Sequence, residues 1–532
     1  MSLQVVWFKR DLRIVDHEAL FRACSAGPTV CFYTIEPHYW ALSNTSNRQW
    51  LFVRESLEDL AGQLAALGAT LIVHQGNVLD ALRSFKDEFG SFTLHSHVET
   101  GIGWTFERDK QVTAWCRSNH CPWYEYAQNG VCRPIQARKA GFKAYWDLWA
   151  ASPRFPVPEH ATFVVSKSFQ SSGLQSLAPD QWPLDVCSDS YPCTQRQTGG
   201  RKAGLAVFRD FLSNRGQAYS GSISSPLTAE SGCSRLSPYL TYGCLSLKEI
   251  VQRTMVAQDK ASSRPWSKSL AAFAKRLHWH CYWIQAFESA CHMEYEPLVP
   301  HMAQLNRPYD QKRFDAWRTG HTGWPLVDAC MRYLHHHGWI NFRMRAMLVS
   351  AATHSLSLPW KPVADWLAQQ FVDFEPGIHY SQIQMQSAMS GVTVLRMYNP
   401  VTQAMRLDPQ GDFVRRWVPE LASVSNFWIF EPWKMTPNLR QQAGWTQAFS
   451  YPVPLVDFEV SHRETKAAIT ELRAAHPMGA AQAFVERNTR QTSTQAASRQ
   501  ASPKASGTSS RDKPARARTK KQTANPAQLT LF

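Results

Sequence analysis

The first part of the chain alternates short apolar runs with one long amphipathic stretch. Residues 5–8 and 30–35 are apolar runs of strand length, and residues 70–73 begin a third. Between the second and third runs, apolar residues recur every three or four positions from 50 to 67, which predicts one buried helix face. This strand–helix–strand order predicts a doubly wound, Rossmann-like parallel sheet over residues 1–135.

The remainder of the chain divides into three further regions. Residues 136–198 contain stretches rich in Ser, Gln, Pro and Gly, which predict a surface connector. Residues 199–475 are predicted to form a helical domain, with periodic segments at 201–215, 247–258, 270–288, 325–337 and 342–356. Residues 485–532 are rich in Ser, Thr, Gln, Ala, Lys and Arg, with little to bury, and are predicted to be a disordered basic tail.

The charge of the chain favours an anionic partner, with nucleic acid the first candidate. The net charge is +15, but ten Lys and Arg against one acid lie between residues 487 and 521, which leaves the rest mildly basic. The 21 tryptophans are compatible with a large aromatic core or with a π-stacked ligand, a stacked base or electron transfer.

The cysteines do not predict a metal site. There is no CxxC pair, and Cys116, Cys121 and Cys132, with His120 nearby, fit no common zinc spacing. No apolar run approaches the roughly 18 residues of a membrane span, and the opening MSLQVVWFKRDLR indicates a strand and a turn rather than a signal peptide. A cytoplasmic protein, associated with the nucleoid through DNA, is expected.

Three segments of the helical region carry candidate chemistry. Residues 232–243 (GCSRLSPYLTYG) offer small hydroxyl side chains and backbone N–H groups at a helix start, suited to a pyrophosphate, although an ordinary Ser-capped helix has the same pattern. Residues 317–345 predict a helix, a Gly-Trp turn and a second helix that carries two arginines. Residues 373–377 (DFEPG) place two carboxylates in one loop.

Together with WFKRDLRIVDHEAL at 7–20 and GDFVRRWVPEL at 411–421, these segments resemble the DNA photolyase/cryptochrome family over about residues 1–460. The resemblance implies an α/β antenna-type domain, a helical FAD-binding catalytic domain and FAD as cofactor. It also implies an ion pair between Arg345 and Asp373 beside the N5 edge of the flavin. The FAD-binding residues that it implies are Tyr219, Cys233, Ser234, Arg235, Leu236, Ser237, Trp339, Arg343, Arg345, Asp373 and Glu375.

The activity that the resemblance implies is repair of DNA with UV lesions, by electron transfer from photoexcited reduced FAD to a flipped-out pyrimidine photoproduct. Trp279 matches the aromatic residue that packs on the lesion, and Trp339 belongs near the cleft between flavin and lesion. The catalytic set is completed by Asn341 and by Tyr380, which a gap-free count puts in the place of the residue facing N5. The predicted DNA contacts are Arg276, His280 and Arg396.

Several residues depart from the family pattern and indicate a divergent bacterial subgroup. Arg276 stands where cyclobutane-dimer photolyases carry Glu, and His280 stands where they carry Arg. Residues 341–342 (Asn-Phe) replace their His-Asn, and the His-His of (6-4) photolyases. The lesion therefore stays open between the two types, and a cryptochrome-type blue-light photoreceptor without repair activity is the alternative.

The residues at the family's antenna-binding and electron-transfer positions also differ from the family pattern. Trp360 matches the middle tryptophan of the family's photoreduction triad, but the flavin-proximal position falls on Met385, and Trp317 is a further electron-transfer candidate. The folate-contacting Asn-Glu of one subfamily falls on Trp104 and Thr105, so a second antenna chromophore of folate or deazaflavin/flavin type is left unassigned.

The last five residues, QLTLF, resemble the peptide with which bacterial repair and replication proteins bind the sliding clamp. Leu529, Leu531 and Phe532 provide apolar anchors, and Gln528 provides the polar contact. The sequence therefore predicts a sliding clamp as a second partner.

Overall fold

The first part of the chain forms a sheet in which each pair of neighbouring strands is parallel. The order is β3-β2-β1-β4-β5, with β1 (Leu3–Phe8), β2 (Thr29–Ile35), β3 (Leu71–Gln75), β4 (Phe92–His97) and β5 (Trp123–Tyr126). The predicted doubly wound parallel sheet is therefore confirmed. The computed structural model describes residues 2–133, 141–159, 161–164, 176–187, 191–305, 307–390, 395, 397–447 and 449–476.

Helices cover both faces of this sheet, since alternate residues of each strand point to opposite sides. Val6 and Phe8 of β1 belong to one apolar core, whereas Val5 and Trp7 belong to another. The helices α1 and α3 pack in the first core, and α4 and α5 in the second. The N-terminal helices are α1 (Glu18–Ala26), α2 (Pro37–Trp40), α3 (Asn47–Ala65), α4 (Val78–Phe89) and α5 (Gly103–Ser118).

The chain after β5 is helical wherever it has regular structure in the described residues, apart from a single β-bridge at Phe163. A first helix, α6 (Phe142–Ala151), lies within the predicted connector. The others are α7 (Arg201–Ser213), α8 (Tyr219–Ser222), α9 (Pro226–Gly232), α10 (Ser237–Thr241), α11 (Leu247–Asp259), α12 (Arg264–Ser289), α13 (Gln311–Thr319), α14 (Pro325–His337), α15 (Phe342–Ser350), α16 (Trp360–Gln370), α17 (Pro376–Gln386), α18 (Pro400–Leu407), α19 (Asp412–Trp417), α20 (Pro437–Gln442) and α21 (Phe458–Ala475).

The helix predicted at 342–356 is shorter than expected, because its last turn widens into a π-helix, Ala351–Ser355. Side chains of α21 bind the carbonyl groups of this turn. Thr465 Oγ1 donates to the carbonyl oxygen of His354 at 2.8 Å, and Ser461 Oγ to that of Ser355 at 2.5 Å. These contacts come from α21, which is distant in the sequence. The apolar pattern of residues 342–356 alone therefore does not predict the π-helix.

The two parts of the chain meet where the segment after β1 packs against the residues after α10. The backbone N–H of Leu12 donates to the carbonyl oxygen of Tyr242 at 3.0 Å, and Arg13 Nη1 donates to that of Gly243 at 3.0 Å. Gly243 has a positive φ of 62°, and a Cβ there would overlap the carbonyl group of Arg10. Glycine therefore permits this close contact.

Among the described residues, no helix is both long enough and apolar enough to cross a membrane.

Candidate functional site

A cavity of about 320 Å³ lies in the helical part of the chain. Its walls come from α12 and α17, the turn before α10, the start of α15 and the loop before α17. Most of the residues that the sequence predicted for a site line this cavity: Tyr219, Cys233, Ser234, Leu236, Ser237, Arg276, Trp279, His280, Trp339, Asn341, Arg343, Arg345, Asp373 and Glu375. Folding thus collects the separate sequence segments around one space.

One face of α17 forms a wall of the cavity. The residues of this face follow helical spacing: Ile378, His379, Gln382, Ile383 and Gln386. The helix packs closely on α12, since a Cβ added to Gly377 would lie 2.7 Å from the Cα of Ile284. This contact determines which face of α17 lines the cavity.

Tyr380 lies on another side of α17, and the structure contradicts its predicted place at the cavity. The side chain is fully buried, and its hydroxyl group accepts a hydrogen bond from Asn44 Nδ2 at 3.2 Å. Its ring stacks on Phe287 with the centroids 6.0 Å apart. A count along the sequence ignores the rotation of about 100° per residue in a helix, and His379 and Gln382 occupy the wall instead.

Arg345 and Asp373 form the predicted ion pair on the cavity wall. Arg345 Nη2 donates to Asp373 Oδ2 at 2.8 Å and to Oδ1 at 3.0 Å, and Nε donates to the carbonyl oxygen of Ile340 at 2.7 Å. The guanidinium group lies 4.0 Å from the ring centroid of Phe371. These contacts hold a positive and a negative group in fixed positions at the cavity.

The turn from Cys233 to Ser237 is held from behind by Arg215, which the sequence did not single out. Arg215 donates to the carbonyl groups of Cys233 and Ser234, at 2.8 Å in the second case. Ser237 begins α10, but no side chain caps this helix end. The Ser-capped helix considered from the sequence is therefore absent here, and the serine hydroxyl groups are not used in capping α10.

Arg235 adopts a left-handed backbone conformation, with φ of 59°, at the centre of this turn. Its guanidinium group lies 4.1 Å from the ring centroid of Trp339, and its Nε donates to Gln197 Oε1 at 3.1 Å. Arg235 thus supports Trp339, which lines the cavity, and does not line the cavity itself.

Several polar atoms of the cavity lining are buried without a hydrogen-bond partner among the described residues. They are Asn341 Oδ1, Gln382 Oε1, Glu375 Oε1 and His280 Nδ1. Buried polar groups are rarely left unpaired, so their presence in one cavity indicates a polar ligand. The unpaired oxygens of Asn341, Gln382 and Glu375 are acceptors, so the N–H groups of a flavin ring would satisfy them.

Burial controls the ionisation of the titratable cavity groups. It lowers the pKa of His280 to about 4 and that of His379 to about 3, so both imidazoles are neutral at pH 7. It raises the pKa of Glu375 to about 7, against the opposing effect of Arg10. The arginines are therefore the permanent cations of the cavity.

The predicted electron-transfer residues lie away from the cavity lining. Trp317 is fully buried and donates from Nε1 to the carbonyl oxygen of Leu348 at 3.1 Å, whereas Trp360 is 9% exposed. The electron-transfer roles of Trp317 and Trp360 stay predictions.

Arg396 and the clamp-like residues 528–532 lie outside the described residues.

A second cluster, which contains Asp11, His17 and His97, has the composition of a metal site but is explained by its own contacts. His17 Nδ1 accepts the backbone N–H of Leu20 at 3.0 Å, so the ring proton lies on Nε2, 3.0 Å from Asp11 Oδ2. His97 Nδ1 lies 2.7 Å from the same oxygen. Both histidine rings thus lie within hydrogen-bonding distance of one Asp11 oxygen, and we assign no metal to this cluster.

The crevice at the carboxyl ends of the central strands does not fit an antenna chromophore in this structure. Its volume is about 40 Å³, whereas ligand sites commonly have about 300–1,000 Å³. Arg108 lines the crevice and pairs with Glu36, Glu99 and Asp109 at 2.8, 2.6 and 2.9 Å. We therefore assign no antenna to this crevice.

Fold and cavity together define a two-domain protein in which a parallel α/β domain accompanies a helical domain with a polar-lined ligand cavity. Comparison with protein families identifies this class. Residues 4–158 match the family described as DNA photolyase, and residues 273–471 match the FAD binding domain of DNA photolyase. The chain belongs to the DNA photolyase/cryptochrome family, its helical part contains the family's FAD-binding domain, and FAD is its cofactor.

Individual relatives include both kinds of protein in this family. The chain is 25% identical to the deoxyribodipyrimidine photo-lyase of Alkalihalophilus pseudofirmus, over 86% of this chain and 95% of that protein. It is 27% identical to Cryptochrome-1 of Arabidopsis thaliana, over 88% of this chain and 70% of that protein. A class III photolyase from Agrobacterium tumefaciens shares the fold, with a TM-score of 0.77 at 23% identity over 89% of this chain and 98% of that one.

Proposed function

We propose that this protein is a light-dependent DNA photolyase that repairs UV-induced pyrimidine photoproducts. The observation that carries the proposal is an aromatic wall in the cavity that also contains the Arg345–Asp373 pair. Trp279 and Trp283 line the cavity one turn apart on α12, are only partly buried, and have ring centroids 5.6 Å apart. Partly exposed indole rings are suited to stacking on an extrahelical base.

In this proposal, some cavity residues contact the lesion and others lie beside the cofactor. Trp279 supplies the stacking surface for a flipped-out pyrimidine pair, and Arg276, one turn earlier, supplies a cation for DNA phosphate. His280 is neutral at pH 7 because burial lowers its pKa to about 4, so it acts as a hydrogen-bonding group. FAD supplies the photoexcited electron when it is bound and reduced. Arg345 and Asp373 hold fixed charges of opposite sign on the cavity wall.

Repair is tested with two oligonucleotides, one containing a cyclobutane dimer and one a (6-4) photoproduct. The reduced protein is mixed with each and illuminated with blue light, and lesion loss is compared with a dark sample. We expect light-dependent loss of one lesion and at least a tenfold lower rate for Trp279→Ala with FAD retained. A wild-type protein that repairs neither lesion would contradict the proposal.

A cryptochrome-type photoreceptor is the second candidate. Two observations favour it. The similarity to Cryptochrome-1 is comparable to that to photolyases. Arg276 and the neutral His280 line the cavity at positions where the sequence comparison expected Glu and Arg in a cyclobutane-dimer photolyase. For this candidate, illumination changes the flavin spectrum and the conformation of the chain, but lesions persist. The repair assay separates the two functions.

We also propose that residues 528–532 bind a bacterial sliding clamp. The sequence QLTLF ends a basic polar stretch with apolar residues that suit a shallow groove. Deletion of these five residues is expected to abolish binding to purified clamp while repair of short oligonucleotides is unchanged. Equal clamp affinity with and without the five residues would exclude this partner.

A further inference from the structure

Arg10 of the N-terminal domain reaches the wall of the FAD cavity. Its Nη2 lies 3.6 Å from Oε2 of Glu375. The same side chain donates from Nε to the carbonyl oxygen of Thr241 at 3.2 Å and from Nη2 to that of Phe374 at 2.8 Å. Thr241, Phe374 and Glu375 all line the cavity. A single side chain from the other domain therefore joins two segments of the cavity wall.

Glu375 is the group on which this contact acts. The residue is 8% exposed, and its Oε1 has no hydrogen-bond partner among the described residues. Its other carboxylate oxygen, Oε2, faces Arg10. A buried acceptor without a donor costs free energy of about 1–3 kcal/mol, so a ligand that donates a hydrogen bond to Oε1 removes this cost.

The surroundings of Glu375 make Arg10 its main counter-charge. Burial raises the pKa of Glu375 to about 7, while Arg10 and the backbone N–H of Gly377 lower it and Glu99 raises it. The charged groups that act on Glu375 are therefore Arg10 after β1 and Glu99 after β4. The other charged or titratable residues of the cavity lining are Arg276, His280, His379, Arg345 and Asp373. His280 is neutral at pH 7, and Arg345 is already paired with Asp373.

We propose that Arg10 is a positioning residue for the flavin: it orients the Glu375 carboxylate and favours its ionised form, with one oxygen available in the cavity to accept from an N–H group of bound FAD. The inference rests on bound FAD and is independent of whether the protein repairs DNA. It makes the N-terminal domain part of the cofactor site. When Arg10 is lost, Glu375 takes up a proton at higher pH and changes from an acceptor to a donor.

The test is a pH titration of the visible absorption spectrum of oxidised FAD bound to the full-length protein. The variants are Arg10→Gln, Arg10→Lys and Glu375→Gln. Arg13→Gln is the matched control, because Arg13 lies in the same segment and also binds across the domain interface, to the carbonyl oxygen of Gly243 at 3.0 Å. It has no hydrogen bond or ion pair to Glu375 among the described residues.

We expect a spectral transition in the FAD-bound wild-type protein, below pH 7 because the N–H donor of the flavin further favours the ionised carboxylate, and no transition in Glu375→Gln. Arg10→Gln should move the transition up by at least one pH unit, a tenfold change in proton affinity, and Arg10→Lys should move it less. Arg13→Gln should leave it in place even where FAD affinity falls. If Arg10→Gln retains no FAD, Arg10→Lys provides the measurement. A transition that persists in Glu375→Gln, or that Arg10 and Arg13 variants shift equally, would overturn the proposal.

Discussion

Arg345 donates from one nitrogen, Nη2, to both carboxylate oxygens of Asp373, at 2.8 and 3.0 Å. The side chain of Asp373 is 4% exposed and that of Arg345 is 22% exposed, so the pair is largely removed from solvent. The two residues come from α15 and from the loop before α17, which form different walls of the cavity. The pair therefore joins two walls as well as placing charge beside the ligand.

Removal of the Asp373 carboxylate is predicted to weaken both the fold and the binding of FAD. Loss of one partner of a fully buried pair costs about 3–5 kcal/mol, and the partial exposure of Arg345 reduces this to about 1–3 kcal/mol. For Asp373→Asn we expect at least a tenfold higher Kd for FAD, measured by flavin fluorescence during dilution.

The matched control is Glu420→Gln. Glu420 pairs with Arg332 at 2.8 Å, with both side chains 16% exposed, away from the cavity lining. This variant should lower the free energy of unfolding by a similar amount and leave the Kd for FAD unchanged. Equal loss of FAD in both variants would show that the Arg345–Asp373 pair acts only through stability.

The orientation of α17 is tested by two substitutions on its opposite sides. Gln382→Leu removes a cavity acceptor and is expected to shift the flavin absorption bands and raise the Kd for FAD. Tyr380→Phe removes only the hydrogen bond from Asn44, which contributes about 1 kcal/mol, and should leave the flavin spectrum unchanged. The reverse result would place Tyr380 at the cavity.

Close packing of α12 and α17 is predicted to depend on Gly377. In Gly377→Ala the added Cβ would lie 2.7 Å from the backbone of Ile284, and such overpacking typically costs about 1–3 kcal/mol. Gly62→Ala on α3 is the control, since nothing lies within 4 Å of a Cβ there, and it should stabilise the helix by up to about 1 kcal/mol. Urea denaturation measures both, and equal free energies of unfolding would contradict the contact.

The fold and the cavity wall differ in how far the sequence predicts them. The strands and the main helices follow from periodic apolar residues, and the roles of Asp373 and Arg345 follow from the resemblance of short segments to the photolyase/cryptochrome family. The phase of α17 does not, because it is set by the contact between Gly377 and Ile284, and a gap-free count therefore selected Tyr380. Helical spacing from Glu375 would have selected Ile378, His379 and Gln382.

Long-range contacts account for the rest of what the sequence did not reveal. The hydrogen bond from Arg10 to the wall of the cavity joins residues 364 positions apart in the sequence. Arg215 supports the turn at Cys233 and Ser234 through carbonyl groups, which carry no side-chain signature. Such contacts depend on tertiary packing and leave no periodic pattern.

The pH dependence of stability is predicted to follow the buried histidines. Burial lowers the pKa of His354 to about 3, and that of His97, His335 and His379 to about 3 as well. Since these folded-state pKa values lie below the unfolded value, their contribution to stability is complete above about pH 6.5 and is lost as the pH falls below it. Each histidine adds a slope of up to about 1.4 kcal/mol per pH unit.

His354→Gln tests this dependence. The amide can replace the bonds of His354 to the carbonyl oxygen of Gln386 and to Arg307, at 2.8 and 3.2 Å, but it does not titrate. Urea denaturation between pH 7 and pH 5 should show a shallower loss of stability in this variant, whereas His336→Gln, at an exposed position, should match the wild type. An unchanged slope in His354→Gln would contradict the assignment.

The central claim, that the cavity brings reduced FAD and a flipped-out lesion together for electron transfer, is tested most directly by the excited-state lifetime of reduced FAD. The lifetime is measured by transient absorption with undamaged DNA, with each lesion-containing oligonucleotide, and with Trp279→Ala. We predict that one lesion shortens the lifetime in the wild-type protein and that saturating amounts of the same DNA shorten it much less in the variant. A lifetime that neither lesion changes, although both are bound, would contradict the claim.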